Sequence, residues 1–205
     1  KVPEVNEIRW ESSELHLGSA VPCYRVYGDS AVGAAYPALA EVAALIGGIQ
    51  IQGRASIGGN LCNSAPSADV VPLLIALRVR CRILGPEGYR DIPVEDFCTG
   101  PGTNILGANE ILTSLIFPAP VEGQGAKYLR FIPRNEMDIA VVGSGVNVRL
   151  ENGQIAEAHV ALASVAPTPL YVREITDALR GQPATPDTLA TAAKLASDAC
   201  RPITD

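Results

Sequence analysis

The sequence of 205 residues contains no C-x-x-C pair and only two histidines, which excludes the commonest metal-binding patterns. Its five cysteines are odd in number and widely spaced, so we expect buried or idle thiols and no zinc or iron–sulfur site on this chain. His16 and His159 alone also give poor support to a triad that depends on histidine.

Long apolar runs and an excess of positive charge are absent as well. No stretch approaches the ~18 apolar residues that a membrane helix needs, and the start of the sequence lacks the apolar core of a secretory signal. Sixteen basic against 22 acidic residues give a net charge of −6, which argues against a nucleic-acid or anionic-membrane partner. We therefore expect a cytoplasmic protein with no membrane span and no nucleic-acid partner.

The remaining composition is that of a folded protein, with 47% apolar and 19% charged residues and a length that suits one or two domains. The first thirty residues read as strands, and 8–11 and 15–17 alternate apolar with polar residues as a half-buried hairpin does. The apolar spacing from Pro37 onward predicts a helix that ends at Gly47. A second short helix is predicted over 68–77, with Ser67 as its N-cap and Asp69 in its first turn.

The residue pattern changes after 118–125, a segment that contains two prolines and two glycines and is the best candidate linker. Beyond it, Asn152-Gly153 is a strong signal for a two-residue hairpin turn. The pattern predicts two strands around that turn, over 139–150 and 155–165. Two helices are predicted to follow, one over 169–179 and one from the Thr185 cap to 200. Together, these predicted strands and helices indicate an α+β protein.

The segment that demands a special explanation is Ser56-Ile57-Gly58-Gly59-Asn60. Paired glycines let backbone N–H groups converge on an anion, and the side chains of Ser56 and Asn60 add donors, so a pyrophosphate would suit this turn. The segment is neither a Walker loop nor the G-x-G-x-x-G fingerprint, and short Gly-Asn stretches on their own are more often plain turns.

The residues after this turn make it specific, because Ser64-Ala65-Pro66-Ser67-Ala68-Asp69 and an apolar helix come next. This order resembles the FAD-binding medium subunit or domain of the molybdenum hydroxylases, a family that includes xanthine dehydrogenase and aerobic carbon monoxide dehydrogenase. The resemblance continues through residues 93–97, 109–112, 116–118 and 130–140. It implies a type-2, vanillyl-alcohol-oxidase-like FAD-binding subdomain over 1–122 and, over 123–205, an antiparallel sheet packed with helices.

The resemblance also implies which residues bind FAD. Ser56 through Asn60 match the loop that grips the pyrophosphate, and Asp69 matches a carboxylate that accepts from ribityl or ribose hydroxyls. Leu112 matches a position that lies against the adenine. Arg130 matches a position near the cofactor where relatives often carry lysine. Ile46 matches a position where some relatives place an aromatic ring over the flavin. A purely structural role stays open for three of these residues. Asp69 would stabilise the start of its own helix, Leu112 would pack in the core of a strand, and Ile46 would lie on the core face of a helix.

Residues 1–7 contain no match to the family's first glycine-rich FAD loop. We therefore expect a chain that lacks part of the family's N-terminal region and its C-terminal continuation, with a weaker hold on FAD.

The function implied by the resemblance is electron transfer within a molybdenum hydroxylase. FAD held here would pass electrons from the iron–sulfur clusters of a small partner subunit to an external acceptor, while a large partner carries molybdopterin. No acid, base or nucleophile is assigned to this chain. The alternatives are a stand-alone flavin oxidoreductase with its own small substrate, and a flavin-free fragment in which the glycine turn is only a turn.

Overall fold

The computed structural model describes residues 2–134 and 137–203, and in that part of the chain every strand pairs antiparallel. The strands are β1 Ile8–Glu11, β2 Glu14–Gly18, β3 Arg80–Gly85, β4 Gly88–Pro93, β5 Cys98–Gly100, β6 Thr103–Asn104, β7 Ile111–Phe117, β8 Gln124–Phe131, β9 Val142–Glu151, β10 Gln154–Ala163 and β11 Leu170–Tyr171. The helices are α1 Cys23–Gly28, α2 Ser30–Ala35, α3 Pro37–Ala43, α4 Ile57–Cys62, α5 Val70–Ala76, α6 Arg173–Leu179 and α7 Pro186–Ala199. Short 3-10 turns lie at Pro3–Val5 and Val94–Asp96.

The first sheet has the strand order β1-β2-β7-β3-β4 and lies over the main core. Its hairpin pairs Ile8 with Leu17, which confirms the hairpin predicted from the alternation. Leu15 and Leu17 are fully buried beside residues of α3, α4 and α5. Burying one face of the sheet against helices is what this period-2 pattern produces.

The second sheet has the order β11-β10-β9-β8, and its strands β9 and β10 are covered on both faces. One face packs on α5, and a second apolar cluster forms between the opposite face and the helices α6 and α7. The predicted two-residue hairpin turn is confirmed, and Asn152 and Gly153 both have the positive φ angles that a type I′ turn requires. The α+β class and the C-terminal antiparallel sheet with helices are confirmed, while the division at residues 122 and 123 stays a prediction.

Four expectations about elements are wrong. The helix expected to run from Pro37 to Gly47 already ends at Ala43. Part of the first thirty residues is helical, since α1 covers Cys23–Gly28 after Pro22. Asp29 then caps α2 by accepting hydrogen bonds from two backbone N–H groups, a signal the strand interpretation overlooked. The helix expected from residue 169 begins at Arg173, since Leu170–Tyr171 instead pairs with the end of β10. Ser67 does not cap α5; Asp69 occupies the N-cap position and makes no cap bond there.

No helix in the described ranges combines the length and the hydropathy needed to cross a bilayer.

Two glycines in β9 allow close approaches: Gly145 lets α5 lie directly against the second sheet, and Gly143 makes room for Tyr128 on β8. A Cβ added at Gly145 would stand 2.5 Å from the backbone nitrogen of Leu73, a distance that real Cβ atoms do not reach. A Cβ at Gly143 would stand 3.1 Å from the ring of Tyr128 and closer still to its hydroxyl. A glycine inside a strand often marks such a close approach.

Replacing Gly145 with alanine is expected to lower the free energy of unfolding by at least about 2 kcal/mol, because the contact is backbone against backbone and cannot yield by a rotamer change. Thermal or urea unfolding measures the loss. Gly125→Ala on neighbouring β8 is the matched control, since a Cβ there meets nothing within 4 Å. Equal stability of the two variants would contradict the packing argument.

Both histidines are held in the neutral form by the fold. His16, 4% exposed in β2, has its pKa lowered by burial and by Arg82 and Arg9, against the opposing effect of Glu11 and Glu14. Burial is also the main cause that lowers the pKa of His159. Its Nδ1 lies 2.7 Å from the hydroxyl of Tyr171.

The free energy of unfolding is therefore expected to fall as the pH drops from about 7.5 to about 5.5. The unfolded chain protonates both histidines near their ordinary pKa of about 6.5, whereas the folded chain resists protonation, so acid favours the unfolded state. Urea unfolding at both pH values measures the difference. His16→Gln and His159→Gln should each reduce that difference, and a wild-type stability independent of pH in this window would refute the prediction.

Candidate functional site

The candidate site begins at the diglycine turn, residues 56–60, which forms the start of α4. Ser56 is the extended N-cap residue, and its Oγ accepts a hydrogen bond of 3.0 Å from the backbone N–H of Gly59. A hydroxyl that accepts in this way keeps its own proton to donate. The side chain of Ile57 is buried in the main core and anchors the turn from below.

The two glycines of the turn differ in what surrounds them. Gly58 is buried, and a Cβ there would lie 2.5 Å from the carbonyl oxygen of Ser19. Gly59 is exposed, and its added Cβ would closely approach only the Oγ of Ser56. Internal packing therefore explains glycine at position 58, whereas Gly59 leaves backbone open to solvent.

The turn is connected to α5 through Asn60. The Oδ1 of Asn60 accepts from the backbone N–H of Val70, with a donor–acceptor distance of 3.4 Å. This long bond holds the start of α4 beside the start of α5, and so beside Asp69.

The carboxylate of Asp69 turns away from its own helix and toward the second sheet. The Tyr128 hydroxyl donates to its Oδ1 at 2.8 Å, and Nη1 of Arg130 donates to its Oδ2 at 3.0 Å. The side chains of Asp69 and Arg130 are only 14% and 10% exposed, so this is a largely buried ion pair. Two residues expected separately near a cofactor thus lie in direct contact, although they are far apart in sequence.

Sequence reasoning missed Tyr128 and the residues that make room for it. The only signal in the sequence was Gly143-Ser144-Gly145 within a strand, which indicates a close approach without saying to what. Burial, reinforced by the neighbouring Asp69 carboxylate, raises the pKa of the Tyr128 phenol, so this hydroxyl stays protonated and remains a donor.

Leu112 and Ile46 both have buried side chains. Leu112 is 2% exposed in β7, and its carbonyl accepts from Oγ of Ser19, the residue that packs on Gly58. Ile46 is 8% exposed in the main core, and its carbonyl accepts from the side-chain amide of Gln52. Leu112 is therefore linked to the diglycine turn through Ser19, while Ile46 lies in a different part of the core surface.

An open groove of about 490 Å³ lies beside Ile46. Its walls include Leu45 and Gly47, which flank Ile46, and Arg130 from β8. Arg130 therefore belongs both to the groove and to the ion pair with Asp69, and joins the two parts of the candidate site.

Two of the buried or half-buried thiols are held in their unreactive form. Burial raises the pKa of the Cys23 and Cys62 thiols to about 11, which keeps both neutral. Within residues 2–134 and 137–203, no group of three or more His, Cys, Asp or Glu side chains is placed to hold a metal ion.

Comparison with protein families assigns both parts of the chain. Residues 1–120 match the family model described as the FAD binding domain in molybdopterin dehydrogenase. Residues 127–205 match the model described as the CO dehydrogenase flavoprotein C-terminal domain.

Individual relatives agree with these models. The chain is 34% identical over 180 residues to the xanthine dehydrogenase FAD-binding subunit of Escherichia coli O157:H7, which covers 87% of this chain and 62% of that protein. A solved structure of carbon monoxide dehydrogenase from Hydrogenophaga pseudoflava superimposes with a TM-score of 0.95 at 32% identity, covering 100% of this chain and 71% of that one. Quinoline 2-oxidoreductase from Pseudomonas putida 86 gives a TM-score of 0.90 at 26% identity, over 100% of this chain and 70% of that one. The chain thus spans less than two thirds of the length of the xanthine dehydrogenase relative.

Proposed function

The chain belongs to the family of FAD-binding domains of molybdopterin dehydrogenases, the molybdenum hydroxylases, and on that premise we propose that it carries FAD as the electron-transfer subunit of such an enzyme. The observation that carries the proposal is the contact network that joins the diglycine turn to the Asp69–Arg130 ion pair. This network gathers polar groups from both matched family regions into one place.

The residues present fit the cofactor. The hydroxyl of Ser56 and the first N–H groups of α4, which have no partner within the helix, offer donors to a pyrophosphate, and Gly59 leaves the backbone there open to its approach. The Asp69 carboxylate has about four acceptor positions, of which Tyr128 and Arg130 use one on each oxygen, so it can still accept from sugar hydroxyls. We assign Leu112 to the adenine end and Ile46 to the flavin end of the same site.

The chemistry supplied by bound FAD would be two-electron transfer between iron–sulfur clusters and an external acceptor. We propose that the clusters belong to a small partner subunit and the molybdopterin to a large one. This chain's own residues then bind and orient the cofactor and are not acids, bases or nucleophiles. We propose the cytoplasm as its compartment, because all five cysteines are free thiols.

The first test concerns the pyrophosphate contact. Gly59→Leu in the full-length protein is expected to weaken FAD binding at least about ten-fold, because a side chain there would fill the space through which a phosphate approaches the backbone. The new Cβ displaces only the hydroxyl of Ser56, and leucine is a better helix former than glycine, so the melting temperature should change little. FAD titration followed by flavin fluorescence measures affinity.

Gly53→Leu is the matched control for this test, because Gly53 is exposed in the preceding turn and a Cβ there meets nothing within 4 Å. It should bind FAD like the wild type. Wild-type affinity in Gly59→Leu would refute the phosphate contact. Gly58 is unsuitable for the test, since a side chain there would disturb the packing on Ser19 whether or not a ligand binds.

The second test concerns the electron-transfer role. Xanthine, carbon monoxide and quinoline, taken from the names of the relatives, form a first substrate panel. A substrate of the enzyme should bleach the visible absorption of the flavin only when the cluster-bearing and molybdopterin-bearing subunits are present. Dithionite should bleach it in their absence, as the control that the flavin is reducible.

Bleaching of the isolated flavoprotein by an organic substrate would contradict the electron-transfer role and favour a stand-alone oxidoreductase. A full-length protein that takes up no FAD would contradict the proposed function altogether.

A further inference from the structure

The Asp69 carboxylate is held by two donors that come from one strand but differ in kind. Arg130 is a long side chain at the edge of an open groove, whereas Tyr128 is a rigid ring that is buried in the main core. The Tyr128 hydroxyl reaches the carboxylate because Gly143 on the adjacent strand leaves the space for it.

We propose that Tyr128 is a positioning residue for the flavin nucleotide: its hydroxyl fixes the Asp69 carboxylate in the orientation that accepts a hydrogen bond from a sugar hydroxyl of FAD. The inference rests on the proposed function and adds to it a residue that does not itself touch the cofactor.

The physical reason is the freedom of the carboxylate. The terminal torsion of an aspartate is broad and roughly two-fold, so a single donor does not fix the plane of the group. Held by Arg130 alone, the carboxylate could rotate so that both oxygens face the guanidinium in the bidentate arrangement that such pairs favour. The bond from Tyr128 to Oδ1 opposes that rotation and leaves one acceptor position on each oxygen directed elsewhere.

The test is a cycle between protein and ligand, carried out on the full-length protein after removal of bound flavin. Wild type and Tyr128→Phe are each titrated with FAD, with FAD lacking a ribose hydroxyl and with FAD lacking a ribityl hydroxyl. In the wild type, one of the two analogues should bind about ten-fold more weakly than FAD, which identifies the hydroxyl that Asp69 accepts from.

Tyr128→Phe should bind FAD about ten-fold more weakly than the wild type and should bind that same analogue no more weakly than it binds FAD. A purely structural role for Tyr128 would instead make the two losses additive. Additive losses, unchanged FAD affinity in Tyr128→Phe, or equal wild-type affinity for FAD and both analogues would each overturn the inference.

Tyr36→Phe is the matched control. Tyr36 is also a buried tyrosine, and its hydroxyl donates to the carbonyl of Pro118 at 2.6 Å, so the variant loses the same atom and a comparable bond away from Asp69. It should bind FAD and both analogues like the wild type. Should Tyr128→Phe fail to fold, Gly143→Ala displaces the hydroxyl with the ring retained and must give the same loss of discrimination.

Failure of the positioning role and failure of the proposed function give different results. Wild-type protein that binds no FAD would overturn the proposed function, whereas equal FAD affinity of the wild type and Tyr128→Phe would overturn the positioning role alone.

Discussion

The close approach of α5 to β9 is the constraint on which the rest of the structure depends. Gly145 allows the backbone of the helix to lie against the strand, and this contact joins the core of the first sheet to the second sheet. It also fixes the position of Asp69, which immediately precedes the helix. The same packing therefore serves the stability of the fold and the geometry of the candidate site.

The site combines groups whose roles differ despite similar sequence signatures. Gly58 and Gly59 are adjacent, yet one is required by the packing of the chain on Ser19 and the other leaves backbone exposed. Asp69 stands at the start of a helix, yet its carboxylate interacts with a strand of the other sheet. In both cases the surroundings, and not the residue type, decide what the residue does.

The sequence predicted the features that depend on local pattern. Alternation indicated the first hairpin, Asn152-Gly153 indicated the second, and the Thr185 cap placed the start of the last helix. It failed where a long-range contact overrides local preference, as when strand pairing takes Leu170–Tyr171 away from the expected helix. The role of Tyr128 was beyond reach for the same reason, because nothing near it in sequence indicates that it meets Asp69.

The ion pair of the candidate site is assembled from the two matched family regions, with the carboxylate in the first and its cation in the second. A chimaera that joined the first region of this protein to the second region of a homologue would keep both family signatures. The second sheet, supplied by the homologue, would nonetheless have to place a guanidinium, a phenol and a gap for that phenol opposite the Asp69 carboxylate. Recombination between the two matched regions is thereby constrained, and they are expected to evolve as a single inherited unit.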